Sequence, residues 1–268
     1  MRTSTEAHWS RFWRERSEID EVYTTEGRVV GEILAEGPVA GTRVLEVGAG
    51  SGRDSVTLAE AGAAAVILDY SMVSLEVARG VAERASQRAL LVRADALRLP
   101  FKDGTFDVVF HQGLLEHFRD PMPLLCENVR VLKPCGLLLV DVPQRFHLYT
   151  ALKHVLIALG KWFAGWETEF SIGELTRLME RAGARVTRCY GSWMIPGLFY
   201  RSLRVALLET RIAKLPLYPA AVPVLSKLMA WARNRFARTG LSFYTYFVIG
   251  ALGRKDPAGV TSPGGGTG

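Results

Sequence analysis

Cysteine is scarce in this chain, and acid is scarce in one part of it. The three cysteines, Cys126, Cys135 and Cys189, form no C-x-x-C pair. That rules out a disulfide framework and suits the reduced thiols of a cytosolic protein. No run of about 18 uncharged apolar residues occurs, so no spanning helix is expected. Met1 to Asp20 is polar and charged, unlike a secretory signal. Between Pro196 and Gly240 the only acid is Glu209, against eight basic residues: Arg201, Arg204, Arg211, Lys214, Lys227, Arg233, Arg235 and Arg238. That local surplus exceeds the formal charge of +6 of all 268 residues, so the basicity belongs to one segment. What the chain has in quantity is apolar side chain, 49% by composition, ample for a core and inconsistent with disorder.

The most informative stretch is Val44 to Gly52. Val44, Leu45 and Val47 read as a buried parallel strand, a glycine-rich turn follows, and Val56, Leu58 and Ala59 continue as a helix. Gly48, Gly50 and Gly52 spell G-x-G-x-G, with Arg53 where a dinucleotide fingerprint has its third glycine. Such a turn lets a ligand approach the backbone, and the helix start is expected to point N–H groups at it. Glu46, just before the turn, suits an amine-bearing ligand better than a pyrophosphate. The second strand, Ala64–Leu68, ends at Asp69, and an acid about 20 residues beyond such a turn hydrogen-bonds ribose hydroxyls in α/β nucleotide sites. Asp69 and Ser71 also precede a helix over 72–85, so one can cap it while the other binds.

The pattern then repeats. A strand over 90–92 leads into Ala94-Asp95-Ala96, a strand over 106–110 into His111-Gln112-Gly113-Leu114-Leu115-Glu116-His117, and helix 122–132 into Lys133-Pro134-Cys135-Gly136 and a strand over 137–142. Ser171 with Glu174 makes a capping box before a helix and a sixth strand, and Ser242–Leu252 alternates as a seventh. Upstream, residues 1–38 read as one or two helices with His8, Trp9, Phe12 and Trp13 clustered. Residues 253–268, ending Gly/Pro-rich, read as a disordered tail.

The glycine loop, the "AD…LPF…FDVV" run through Asp95 and Asp107, the "LEH" of Leu115–His117 and the "VLKPCG" before strand five resemble the class I S-adenosylmethionine (SAM)-dependent methyltransferases, over residues 40–142 and again from Phe170. The resemblance implies a Rossmann-like α/β fold with a seven-stranded, mostly parallel sheet, its last strand antiparallel, with SAM as cofactor. It implies a cofactor site of Glu46, Gly48, Ala49, Gly50 and Gly52, of Asp69, Tyr70 and Ser71, of Ala94, Asp95 and Ala96 at the adenine, and of His111, Gln112 and Gly113 at the methionine end. It also implies that residues 1–39 lid the cofactor, with Tyr23 the candidate contact, and that residues 40–252 form the methyltransferase domain. Some quinone-biosynthesis O-methyltransferases of this family hold a divalent metal with an extra Glu, where Gly113 stands here, so no metal is expected.

Two segments, about 146–168 and 194–240, are left over as helical insertions, the second broken by Pro216, Pro219 and Pro223. In this family such insertions lid the substrate. An apolar, cationic lid suits a small apolar or amphipathic acceptor, or an anionic membrane surface, better than nucleic acid. A homodimer is equally compatible. If an oxygen is methylated, His117, His147 and His111 are the candidate bases; a carbon acceptor needs none. Three other readings stay open: a SAM-binding scaffold or membrane-surface module without turnover, an RNA or protein methyltransferase, and a nicotinamide dehydrogenase, against which Arg53 counts.

Overall fold

The computed structural model describes residues 5–15, 27–160, 162, 167–219 and 223–257. Seven strands form one sheet: β1 (Arg43–Val47), β2 (Ala64–Asp69), β3 (Leu90–Arg93), β4 (Phe106–Gln112), β5 (Leu132–Pro143), β6 (Ala184–Ser192) and β7 (Val248–Lys255), in the order β3-β2-β1-β4-β5-β7-β6. The first five are parallel, and β7 runs antiparallel between β5 and β6. This is the mostly parallel seven-stranded fold that the sequence implies.

Alternation sorts side chains to two covered faces. Val44, Val108, Phe110, Leu137 and Leu139 pack under α2 (Arg28–Leu34) and α3 (Arg53–Glu60). Leu45, Val47, Val109, Leu138 and Val140 pack under α5 (Met122–Val131) and α7 (Ile172–Arg181). Helix α4 (Met72–Arg84) covers Ile67 beside α3. The remaining helices are α1 (Glu6–Glu15), α6 (Leu148–Ala158), α8 (Leu198–Glu209) and α9 (Pro223–Ala237). The Ser171–Glu174 capping box forms as its spacing predicts.

Several strand boundaries differ from expectation: β3 ends at Arg93 and β4 runs on to Gln112, and two starts also shift. β5 starts at Leu132, directly after α5; Cys135 takes a φ of 61° and the pairing with β4 jumps from Leu132 to Leu137. β7 starts at Val248 rather than Ser242, and Gly253–Lys255 extend it instead of starting a tail. Residues Gly240–Tyr244 form a 3-10 turn in which the Ser242 hydroxyl donates to Thr239 O at 2.8 Å. The aromatic alternation there serves ring packing, with Tyr246 against Trp193 and Phe243 at 4.6 and 5.4 Å, and not a ladder. The tail from residue 258 lies outside the described residues.

Candidate active site

Strand order reverses at β1, which lies between β2 and β4, so a crevice opens beyond the carboxyl ends of β1 and β4, where open α/β sheets bind ligands. The glycine loop lies on its floor. Gly48 and Gly50 have φ of 65° and 55°, accessible to few residues but glycine. A Cβ on Gly50 would lie 2.3 Å from Trp13 Cζ2, and one on Gly48 2.6 Å from Leu114 Cδ1. The loop's donors do not point outward as expected. Gly48 and Ala49 N–H both donate to Leu68 O, Gly50 N–H to Asp69 Oδ2 and Gly52 N–H to Ala49 O. Glu46 takes the Ser55 N–H and hydroxyl, at 3.2 and 2.6 Å, so it caps α3 from inside the fold. Burial, with the charge of Asp54 next, pushes the Glu46 carboxyl up to about 8. The loop therefore offers shape rather than a nest of N–H groups, which does not suit a pyrophosphate.

Asp69 is buried at the tip of β2 and accepts from Gly50 N–H at 3.0 Å and Ser71 N–H at 2.8 Å. A carboxylate at this position is of the right chemistry to accept from ribose hydroxyls. Ser71 is the α4 cap, accepting from Ser74 N–H, and its hydroxyl meets that of Ser10 at 2.9 Å. Tyr70 O accepts from the Arg93 guanidinium. Ala94 N–H donates to Asp69 O, which ties the third ligand loop to the second. Asp95 is exposed there, one oxygen accepting from Leu97 N–H, beside the buried Ala96. The buried carboxylate of Asp69 has the chemistry to suit a ribose, while Trp13 and Leu114 lie directly against the glycine loop.

The structure separates the three candidate histidines: His111 lies within β4, His117 in the turn after it, and His147 after β5. His111 is fully buried with no hydrogen-bond partner on either ring nitrogen, and burial pushes it down to about 3. Alternation along β4 explains this: His111 pairs with Val140 and points to the face under α5. With no exposed surface, its ring meets no ligand in this arrangement. Gln112 and Gly113 stand at the strand's end, Gly113 exposed and its N–H donating to Asp141 O. His117, buried mainly and so pushed down to about 4, is hydrogen-bonded to the Gly113 backbone and faces Trp9 edge-on at 5.0 Å. His147 caps α6, its Nδ1 accepting from Tyr149 N–H at 3.1 Å.

Sequence reading singled out neither the charged network beside His117 nor the indoles above the loop as site features. Lys153, 2% exposed on α6, pairs with Glu167 at 2.7 Å and Glu169 at 2.6 Å. Glu169 also meets His154, and Trp162 donates to Glu167. Glu116 lies buried alongside, its carboxyl held well above the usual range by burial and by the Glu167 charge. Across the crevice, Asp141 is held by Arg28 through two contacts and by the Tyr190 hydroxyl. On α1, Trp13 stands over Gly50, Ser10 over Ser71 and Trp9 beside His117. The spacing of Trp9, Phe12 and Trp13 on one helix face was the available signal. Tyr23 lies outside the described residues.

Residues 45–140 match the family model described as a methyltransferase domain. A demethylmenaquinone methyltransferase of Tropheryma whipplei (strain Twist) is 34% identical over 170 residues, 56% of this chain and 70% of that one. Another from Clavibacter sepedonicus is 42% identical over 111 residues, which span 41% of this chain and only 45% of that protein. The magnesium protoporphyrin IX methyltransferase of Synechocystis PCC 6803, solved with S-adenosylhomocysteine, superposes with a TM-score of 0.55 at 14% identity, covering 93% of this chain and 84% of its own. With the sheet order and the crevice already described, these matches place the chain in the class I SAM-dependent methyltransferase family.

Proposed function

We propose that the protein transfers a methyl group from SAM to an oxygen or carbon of a small, apolar or amphipathic acceptor. The observation that carries this reading is a buried carboxylate, Asp69, at the tip of β2 directly beside a glycine loop whose Gly48, Ala49, Gly50 and Gly52 N–H groups are turned inward. That pairing suits a ligand with ribose hydroxyls and a cationic methionine end. When bound, SAM supplies an electrophilic methyl group, and the S–C electron pair stays on sulfur as the acceptor takes it. Asp69 holds the ribose, Asp95 with Ala94 and Ala96 the adenine, and Gln112 and Gly113 the methionine end. Helix α1 closes over them through Trp13 and excludes water. For an oxygen acceptor His117 is the candidate base; burial holds its ring near 4, so it is neutral at physiological pH but weakly basic, and proton uptake there requires a bound anion or acceptor to raise it.

Calorimetric titration with S-adenosylhomocysteine, with NADH as control, tests the cofactor. Micromolar binding of the first alone is expected, and no binding overturns the reading. Transfer of tritiated methyl to phenols, quinol precursors and lipid-linked compounds then tests the acceptor, starting from those named for the quinone-related relatives. The basic, apolar insertions favour a second reading, a SAM-binding surface module; cofactor binding with no transfer to any of these acceptors would select it.

A pH dependence follows from Glu46. Its folded-state carboxyl lies near 8, above the unfolded value of about 4.3, so ionising it costs stability as pH rises between the two. An ammonium-bearing ligand favours the ionised form. Affinity for S-adenosylhomocysteine should therefore rise from about pH 6 to about pH 8, and Glu46→Gln should flatten the profile. A flat wild-type profile would leave Glu46 as an inner cap of α3 with no role toward the ligand's ammonium.

A further inference from the structure

Helix α6 is inside out. It buries Thr150 and Lys153 and turns Leu148, Leu152, Val155 and the following Leu159 to solvent. Their spacing of four, three and four puts these aliphatics on one face. Leu148 is 72% exposed, although a helix with this pattern ordinarily buries that stripe. The inward pull on Lys153 by Glu167 and Glu169 holds the helix in this orientation.

Helices α8 and α9 also expose apolar side chains. No residue of α8 is buried, and its Phe199 is 83% exposed. On α9, Leu228, Met229 and Trp231 are all exposed. Phe146, just before α6, packs on Tyr244 at 5.3 Å in the turn that follows α9, and the Arg201 charge of α8 acts on the Tyr149 phenol of α6, which puts the three helices in one neighbourhood. Arg201 and Arg204 donate to backbone carbonyls of Pro196 and Leu215 and brace the insertion. Among the described residues, Arg211, Lys227, Arg235 and Arg238 are exposed and form no ion pair; the only acid in the segment is Glu209.

Exposed aliphatic and aromatic side chains beside unpaired cations define what fits this surface. A second copy docking by the same face would set its cations against their like. A nucleic acid would satisfy the cations and strand Leu148, Leu152, Leu159 and Leu228 against phosphate. A bilayer bearing anionic headgroups satisfies both, with cations at the phosphates and apolar tips below them. We propose that α6, α8 and α9 form a peripheral docking face for an anionic phospholipid surface. The proposal does not depend on the transfer chemistry.

The test is co-sedimentation of the full chain with sucrose-loaded vesicles of phosphatidylcholine containing about 30% phosphatidylglycerol, against phosphatidylcholine alone. Binding to the first is expected, weakened by salt. Leu148→Glu/Leu159→Glu on α6, Phe199→Glu/Leu228→Glu on α8 and α9, and Lys227→Glu/Arg235→Glu/Arg238→Glu should each reduce it at least tenfold, since one basic group at such a surface is worth about fivefold. All these side chains are exposed, so calorimetry with S-adenosylhomocysteine should be unchanged and reports folding of each variant. No sedimentation of the wild type, or sedimentation indifferent to all three variant sets, overturns the proposal. So does a dimer in solution that Phe199→Glu/Leu228→Glu converts to monomer while vesicle binding is absent, or retention on RNA without retention on vesicles.

Discussion

Replacing Lys153 with methionine should lower the unfolding free energy by about 3–5 kcal/mol, because removing one partner of a buried network leaves the other charges uncompensated. The lysine is 2% exposed and the Glu167 and Glu169 carboxylates are each within 2.7 Å of it. Methionine matches its length and leaves both acids without a counter-charge. A fall in melting temperature of roughly 6–20 °C is expected by calorimetry or circular dichroism. The triple variant Lys153→Met/Glu167→Gln/Glu169→Gln should recover most of the loss, since the charges then disappear together. A loss below about 1 kcal/mol for the single variant would mean that the group behaves as a surface ion pair. The network also bears on the proposed chemistry. Thr168 N–H donates to Glu116 O, one residue before His117, so loosening α6 would displace the loop that carries the ring.

Asp69→Ala should weaken S-adenosylhomocysteine binding by about 10- to 100-fold, or roughly 1–3 kcal/mol, by calorimetry. Two losses combine. Gly50 and Ser71 N–H lose their acceptor, so the glycine loop is no longer fixed to β2, and the ribose hydroxyls lose theirs. A cofactor analogue without the ribose hydroxyls separates the two contributions. It should bind the wild type more weakly than S-adenosylhomocysteine does, and Asp69→Ala should erase most of that difference. Unchanged affinity in the variant would end the ribose assignment.

The parallel strands were legible because each is a short apolar run punctuated by the ligand loops, and Val44–Val47 and Ala64–Asp69 are found nearly to the residue. Three site features were not, for reasons that local pattern cannot reach. The loop N–H groups are taken by Leu68 and Asp69 on the neighbouring strand, and no feature of G-x-G-x-G announces that. His111 follows a strand that ends at the crevice, yet strand alternation turns its ring to the covered face, so proximity in sequence misleads. On α6, hydropathy assigns Leu148, Leu152 and Val155 to the core and Lys153 to solvent; the opposite holds because acids from 14 and 16 residues further along fold back onto the lysine. Trp13 and Gly50 show the same limit, a contact between an N-terminal helix and a loop that neither local pattern specifies.

The position of β7 has a consequence for how the chain assembles. It is the last in sequence of the seven described strands and yet lies in the sheet's interior, joined to β5 on one side and β6 on the other. During synthesis β6 therefore emerges before its only neighbour in the sheet, and β5 waits with an unpaired edge. Helices α8 and α9 emerge in the same interval with their apolar outer faces uncovered. These edges and faces are therefore exposed together until Val248–Lys255 emerge. Closure by Val248–Lys255 completes the sheet in one late step, zipping two antiparallel ladders at once.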